Sequence, residues 1–562
     1  MSRIKNKLNK LLRYRLTPLA LICALGLSAG AQAETLAEGI TPASDASRVP
    51  AAAKLRKDTV VAGISEPQGI FNPYLFTNGW DENVTDVIFS RLIGLDSQGK
   101  PEGRLAESWQ VSPDNLTYTI KLRPNLVYSD GSPLKADDIA FTLTLLHDPA
   151  YDGDTDIMPA HIQGGAEYKN GTAAGISGLK VIDDRTIQIV TTQPGAPTLQ
   201  LIGGPVLSRA YYGKNYQRGK LDGVRALNGK PLGNGPYIYD KYVPGQEIRF
   251  HANPNFYLGP PPMARFIYRV TNPATNFQLF QTGETDYDAF TAKPDDIEQL
   301  KLLGFANINL YSSSDYSRID FNLRRPALLD KRVRQALIYG LDRQKLIAVV
   351  YQGYGKVANQ PISPISWAYD ANGINPYAYD LDKAKKLLDE AGWQAGADGI
   401  RQKDGKKLEL TLLVTKKLIN DALVPIAKDN YRRLGVVLKP QVLDFNALLA
   451  QRKAGNYDLA SLSTSTLNDP HDGVRDFISR ESETGYHNPQ VDALIARANA
   501  TLDIAQRKPL YHQLYQALSD DPPVILLGNR EILSASSARV TGFKPDIYNG
   551  LVGSLPNVKP AP

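Results

Sequence analysis

Over residues 116–122 the sequence alternates, with Leu116, Tyr118, Ile120 and Leu122 apolar and Thr117, Thr119 and Lys121 polar. A period of two is that of a strand with one face buried, so this segment is predicted as a half-buried strand. Asp130-Gly131 supplies the turn that follows it. From residue 136 to 146 the period lengthens, and Ile139, Leu143 and Leu146 fall on one side of a predicted helix. The clearest helix lies at 380–392, DLDKAKKLLDEAG. Asp380 suits its N-cap, and Ala384, Leu387, Leu388 and Ala391 recur at helical spacing. Gly392 suits the left-handed position beyond its end. Asp330 is placed to cap another helix, carrying Val333, Leu337 and Leu341. Strands and helices alternate along the chain with no fixed-period repeat, which predicts an α/β or α+β architecture with several sheets.

The N-terminus follows a different pattern. Arg3, Lys5, Lys7, Lys10, Arg13 and Arg15 precede the apolar run 16–27, and Ala31-Gln32-Ala33 offers small residues before Glu34. This is the pattern of a secretory signal peptide, residues 1–33, cleaved after Ala33. The apolar run falls short of the roughly 20 residues that span a bilayer. Ile22, before Cys23, is not the small residue a lipid anchor needs. Residues 34–56, with their Ala, Pro and Ser and no apolar period, are expected to form a flexible leader.

Cleavage changes the composition that matters. The chain has 64 basic and 58 acidic residues, and the six basic residues of the signal depart with no acid, leaving 58 against 58. A mature chain without net charge lacks the basic face of a nucleic-acid binder, so no nucleic-acid partner is expected. The single cysteine, Cys23, also leaves. A cysteine-free chain in an oxidising compartment must rely on its hydrophobic core alone. At about 529 residues it is long enough to build one, divided among two or three domains. The expected location is the periplasm, and the expected state a monomer.

The search for chemistry finds few motifs. Phosphate-loop, zinc-protease and nucleophile-elbow patterns are absent. GYGKVA, from Gly353, resembles a dinucleotide loop but follows a helical segment where that motif requires a strand. Residues 461–473, SLSTSTLNDPHDG, are richer, with five hydroxyls followed by Asp469, Pro470, His471 and Asp472. Three readings stay open: metal ligands, a hydrolase using Asp469 and His471, or a pocket wall. Pro470 favours extended or turn backbone, in which neighbouring side chains diverge, so DPHD is expected to be a solvated loop or cleft rim. The 29 tyrosines combine apolar area with a polar tip, suited to ligand contact as well as to core positions.

Residues 105–143, LAESWQVSPDNLTYTIKLRPNLVYSDGSPLKADDIAFTL, resemble the extracytoplasmic solute-binding protein family 5 of ABC importers. PLGNGPYIY (231–239), HANPNFYLG (251–259), GETDYDAF (283–290), DKRVRQALIYGLDRQKLI (330–347) and LLDEAGW then follow in the family's order. The resemblance implies a two-lobed periplasmic binding-protein fold of the α/β class (class II-like, cluster C), with an extra subdomain in the first lobe. The first lobe would take 57–100, 205–318 and 531–562 with the C-terminal tail. The extra subdomain would be 101–204 and the second lobe 319–530. It further implies a non-enzymatic protein without cofactor, closing on a solute and handing it to an ABC permease and ATPase complex in the inner membrane.

Residues 457–466, YDLASLSTST, read as a strand ending at the cleft. The corresponding stretch of the peptide binders resembles G-W-x-x-D-x-x-D-P, whose first Asp meets the peptide ammonium. Anchored on Asp469-Pro470, that Asp falls on Thr466 and the Trp on Ser463, so the chain departs from the pattern at both positions. A hydroxyl cannot neutralise a buried ammonium, and the expected ligand is therefore neutral or anchored elsewhere. The expected ligand contacts are Ser463, Thr464, Thr466, Asp469 and His471, together with Asn78, Gly79 and Trp80. Thr464 is expected to share the strand face of Thr466. The expected ligand is a peptide or peptide-like solute. An oligosaccharide- or opine-like solute, suited to hydroxyls beside Trp80, and a metal chelate are the alternatives.

Overall fold

The computed structural model describes residues 38–466, 469–480 and 482–562. The predicted signal peptide and its cleavage site lie outside these residues. No helix among the described residues is long and apolar enough to cross a membrane.

The predicted elements form where their periods place them. Thr117–Leu122 is a strand with Tyr118, Ile120 and Leu122 buried, and Ala136–Leu146 is a helix with Ile139, Leu143 and Leu146 buried. Asp380 accepts the backbone N–H of Lys383 at 2.9 Å and starts the helix Leu381–Glu390, while Gly392 takes φ +86°. Asp330 accepts from the Arg332 N–H and starts Lys331–Tyr339.

A mixed 13-stranded sheet runs through the protein. From one edge the order is Val437–Val442, Glu409–Val414, Leu459–Ser465, Asp315–Phe321 and Val524–Ser537. It continues through Tyr287–Phe290, Thr59–Ile64, Arg265–Val270 and Glu247–Ala252 to Tyr237–Val243. The 14-residue strand Val524–Ser537 belongs to both halves. Its first part pairs with Asp315–Phe321, and its second with Ala306–Ser312 and with Tyr287–Phe290. The sequence from Ala306 to Phe321 makes the same crossing in the opposite sense. Two main-chain crossings therefore join two lobes. One large core gathers residues from Val60 to Tyr287 with Val540, Phe543, Leu555 and Val558; the other lies between Ile319 and Leu527. A separate antiparallel sheet, Ala106–Val111, Thr117–Leu122, Thr186–Val190 and Leu179–Asp183, adjoins the first core.

The expected leader is corrected from Gly39 onward. Gly39–Thr41 pairs antiparallel with residues 308–310, and Ala51–Lys54 is helical. Val49 and Ala53 are buried with Phe280, Leu300 and Leu303. Its few apolar residues are too sparse to show a period, but they are placed to fill one end of a core that the distant strands leave open.

Candidate functional site

Leu459–Ser465 pairs with Asp315–Phe321 in antiparallel register, Ser463 opposite Ser317 and Thr464 opposite Tyr316. Because side chains alternate, the serines and threonines separate. Ser463 is exposed, its hydroxyl 3.3 Å from that of Ser317, while Thr464 points to the other face with Tyr316. Just past the strand, Thr466 is buried, its hydroxyl donating to the Ser314 carbonyl at 2.8 Å and its methyl directed at Gly473. The hydroxyl-rich stretch thus lines two surfaces.

The DPHD segment is not the solvated loop expected. Pro470–Gly473 is a turn of 3₁₀ helix in which Pro470, His471 and Gly473 are buried. Asp469 makes this possible. One of its oxygens caps the turn by accepting from the His471 N–H at 2.9 Å, and its two oxygens accept from Arg507 Nη1 and Nη2, each at 2.9 Å. A paired, fully hydrogen-bonded carboxylate can be buried where a free one cannot. Burial lowers the Arg507 pKa, but the charge and hydrogen bonds of Asp469, joined by Tyr511, together outweigh it and hold the guanidinium above its ordinary value. The guanidinium also donates to the Ala498 carbonyl and lies over the rings of Trp367 and Tyr511, 5.2 and 5.4 Å from their centroids. Tyr316 braces the same segment, donating to the Gly473 carbonyl at 2.8 Å, and Arg318 donates to Asp476 at 2.6 Å. The His471 ring faces Asn499, Nδ1 to Nδ2 3.2 Å. With Asp469 committed to Arg507, this segment forms a buried, hydrogen-bonded wall.

That wall closes one side of a cavity of about 30 Å³ where residues from both lobes meet. Thr466, Asp469 and Pro470 contribute from the wall, and Ser314 from a crossing segment. Ser363, Ser366 and Trp367 come from the second lobe, and Gly99 and Tyr548 from the first. Gly99 has φ +76°, and an added Cβ would lie 2.6 Å from the Tyr548 hydroxyl, so glycine is required there twice over. A second contact between the lobes is close by, the Ala196 N–H donating to the Asn499 carbonyl at 2.7 Å. The cavity is uncharged apart from the neutralised Asp469, and its polar atoms are mostly hydroxyls.

Of the residues expected from sequence, Thr466 and Asp469 line this cavity. Ser463, Thr464, His471, Asn78, Gly79 and Trp80 do not. Asn78 is an N-cap, accepting from the Trp80 and Asp81 N–H groups, and Gly79–Ile88 is the helix it starts. Trp80 is 44% exposed. Sequence reasoning missed Ser314, Ser363, Ser366, Trp367, Gly99 and Tyr548. They come from separate parts of the chain, and no local pattern marks them.

Two lobes joined by two crossing strands, with a polar cavity where they meet, define a ligand-binding protein of the bilobal kind. The chain matches the model of "Bacterial extracellular solute-binding proteins, family 5 Middle" over residues 100–486, and it belongs to that family. It is similar to the oligopeptide-binding protein AppA of Bacillus subtilis, 27% identical over 508 residues, covering 88% of this chain and 90% of the relative. It is also similar to the dipeptide-binding protein of Escherichia coli, 27% identical over 527 residues, covering 88% and 94%. Among solved structures, NikZ from Campylobacter jejuni in complex with Ni(L-His) superimposes with a TM-score of 0.77 at 25% identity, covering 90% of this chain and 99% of that one.

Proposed function

We propose that this protein is the periplasmic receptor of an ABC importer, closing its lobes on a peptide or peptide-like solute and presenting it to the permease without chemical change. Its similarity to oligopeptide- and dipeptide-binding proteins over nearly their whole lengths supports the class of ligand. The observation that carries the reading is the interlobe cavity lined by Thr466, the residue that falls where the pattern of the peptide binders has an acid. Asp469 cannot substitute, because Arg507 already neutralises it. The preferred solute therefore has a neutral group at this point, such as a blocked or amide-like terminus. A cavity of this size with the lobes together holds a small group only, so the bulk of a ligand must enter while they are apart.

Calorimetry with short peptides bearing free or acetylated N-termini tests the reading. The acetylated series is expected to bind at least as tightly as the free series, with compaction visible in small-angle scattering. Binding confined to free-amine peptides would refute the neutral subsite, and binding of saccharides but no peptides would replace the ligand class.

A further inference from the structure

The helix Pro489–Ala500 ends beside the wall, and the last carbonyls of any helix lack partners within it. Here groups outside the helix take three of them. Thr501 Oγ1 donates to the Arg497 carbonyl and Arg507 Nε to that of Ala498, both at 2.9 Å. The Asn499 carbonyl accepts from the Ala196 N–H at 2.7 Å. The first two donors belong to the second lobe. Ala196 belongs to the first, since Ile189 and Ile202 on either side of it are buried in the first core. The same helix end also holds the wall. Arg507, bound to the Ala498 carbonyl, neutralises the cavity-lining Asp469, and Asn499 Nδ2 lies 3.2 Å from His471 Nδ1. One turn of helix thus joins the first lobe to both Asp469 and His471.

The loop that presents Ala196 is held by contacts within its own lobe. The Thr192 N–H donates to the His161 carbonyl at 2.9 Å, and Gln193 Nε2 and His161 Nε2 are 2.8 Å apart. The Thr198 N–H donates to the Gly195 carbonyl at 3.1 Å, and a Cβ added at Gly195 would lie 2.6 Å from Thr198 Oγ1. Pro194 and Pro197 fix the backbone on both sides. A donor set in this way loses little freedom on docking. Its bond to Asn499 exists only while the lobes are together, so it weighs on the closed form alone. We infer that Asn499 is a positioning residue for solute binding: its carbonyl receives Ala196 when the lobes close, and its side chain carries that contact to His471 in the wall of the solute cavity. This rests on the reading that the lobes close on a solute, whatever the solute is. Release of the solute requires the contact to break first.

Two experiments keep this inference apart from the ligand class. The first adds no ligand. Residues 34–562 contain no cysteine, so Ala196→Cys/Asn499→Cys places a single reactive pair across the contact. A short bismaleimide is expected to join the pair, because even a briefly closed form is captured; two reactive cysteines that stay unjoined overturn the contact. The second follows short acetylated peptides by stopped flow. Ala196→Pro removes the donor and is expected to release them roughly five- to tenfold faster than wild type, the loss of one hydrogen bond, at an unchanged association rate. Ala196→Ser, which keeps the N–H, is expected to match wild type. Asn499→Ala, which removes only the link to His471, provides the second variant should Ala196→Pro not fold, and is expected to show the same split. Release at the wild-type rate, or a change confined to association, overturns the role. Crosslinking without binding of any peptide would refute the ligand class and support the contact.

Discussion

Removing the carboxylate of Asp469 should be among the most damaging single changes in the second lobe. Asp469→Ala leaves Arg507 charged, buried beneath Trp367 and Tyr511 and deprived of both hydrogen bonds at 2.9 Å. Breaking a buried pair from one side costs about 3–5 kcal/mol, and the lost cap on the His471 N–H adds about 1 kcal/mol. For a cooperative unit of roughly 200 residues each kcal/mol is worth about 2–4 °C, so the second lobe should melt about 8–24 °C lower. The compensated variant distinguishes ion-pair loss from general damage. In Asp469→Leu/Arg507→Met no buried charge is stranded, and most of the stability should return, because apolar pairs of similar volume commonly replace buried ion pairs at little cost. Solute affinity should not return with it, since the wall beside Thr466 has lost its polar frame. Calorimetric unfolding of wild type, single and double variants, followed by titration with the solute, reads both effects. A loss below about 1 kcal/mol in Asp469→Ala, or a double variant no better than the single, would refute the account of this wall as one held by a buried charge pair.

Three further predictions follow from particular contacts. Thr466→Val deletes the donor to the Ser314 carbonyl but leaves that oxygen the Thr466 N–H at 3.3 Å, so folding should hold while solute binding weakens by about 0.5–1.5 kcal/mol in calorimetry; unchanged binding would place the ligand elsewhere. Asp288 is 4% exposed, and burial pushes its carboxyl up to about 7 against the hydrogen bonds of Ala289 and Thr271. Its folded state therefore binds a proton the unfolded chain has released, so its contribution to stability is complete below about pH 4 and is lost as the pH rises towards 7, by up to about 4 kcal/mol. Asp288→Asn should flatten that slope in melting curves between pH 5 and 8, and an unaltered slope would contradict the assignment. Deleting residues 38–55 should lower the melting temperature measurably, because it removes Val49 and Ala53 from a core and uncovers the strand Ala306–Ser312; an unchanged value would show that this segment contributes nothing.

The sequence by itself determined the elements and the family. Periods of two and 3.6 located Thr117–Leu122 and Leu381–Glu390, and Asp330 and Asp380 are capping signals that act within one turn. Such information is local, and neighbouring residues carry all of it. The collinear family segments extended it to the two-lobed fold. Thr466 was legible as a departure from the peptide binders because a pattern fixed its position. The tertiary structure alone decided what the surrounding residues do. Asp469 looked solvated because its partner, Arg507, lies 38 positions later, and only that pairing makes its burial affordable. Ser463 and Thr464 were both expected at the ligand, and the structure places Ser463 opposite Ser317 and Thr464 opposite Tyr316, with neither lining the cavity. Trp367, Ser363, Gly99 and Tyr548 meet Thr466 only because two main-chain crossings bring the lobes together. A pocket assembled from distant segments leaves no periodic trace in any of them, since each is spaced for its own strand, turn or helix and the cavity exists only in their packing.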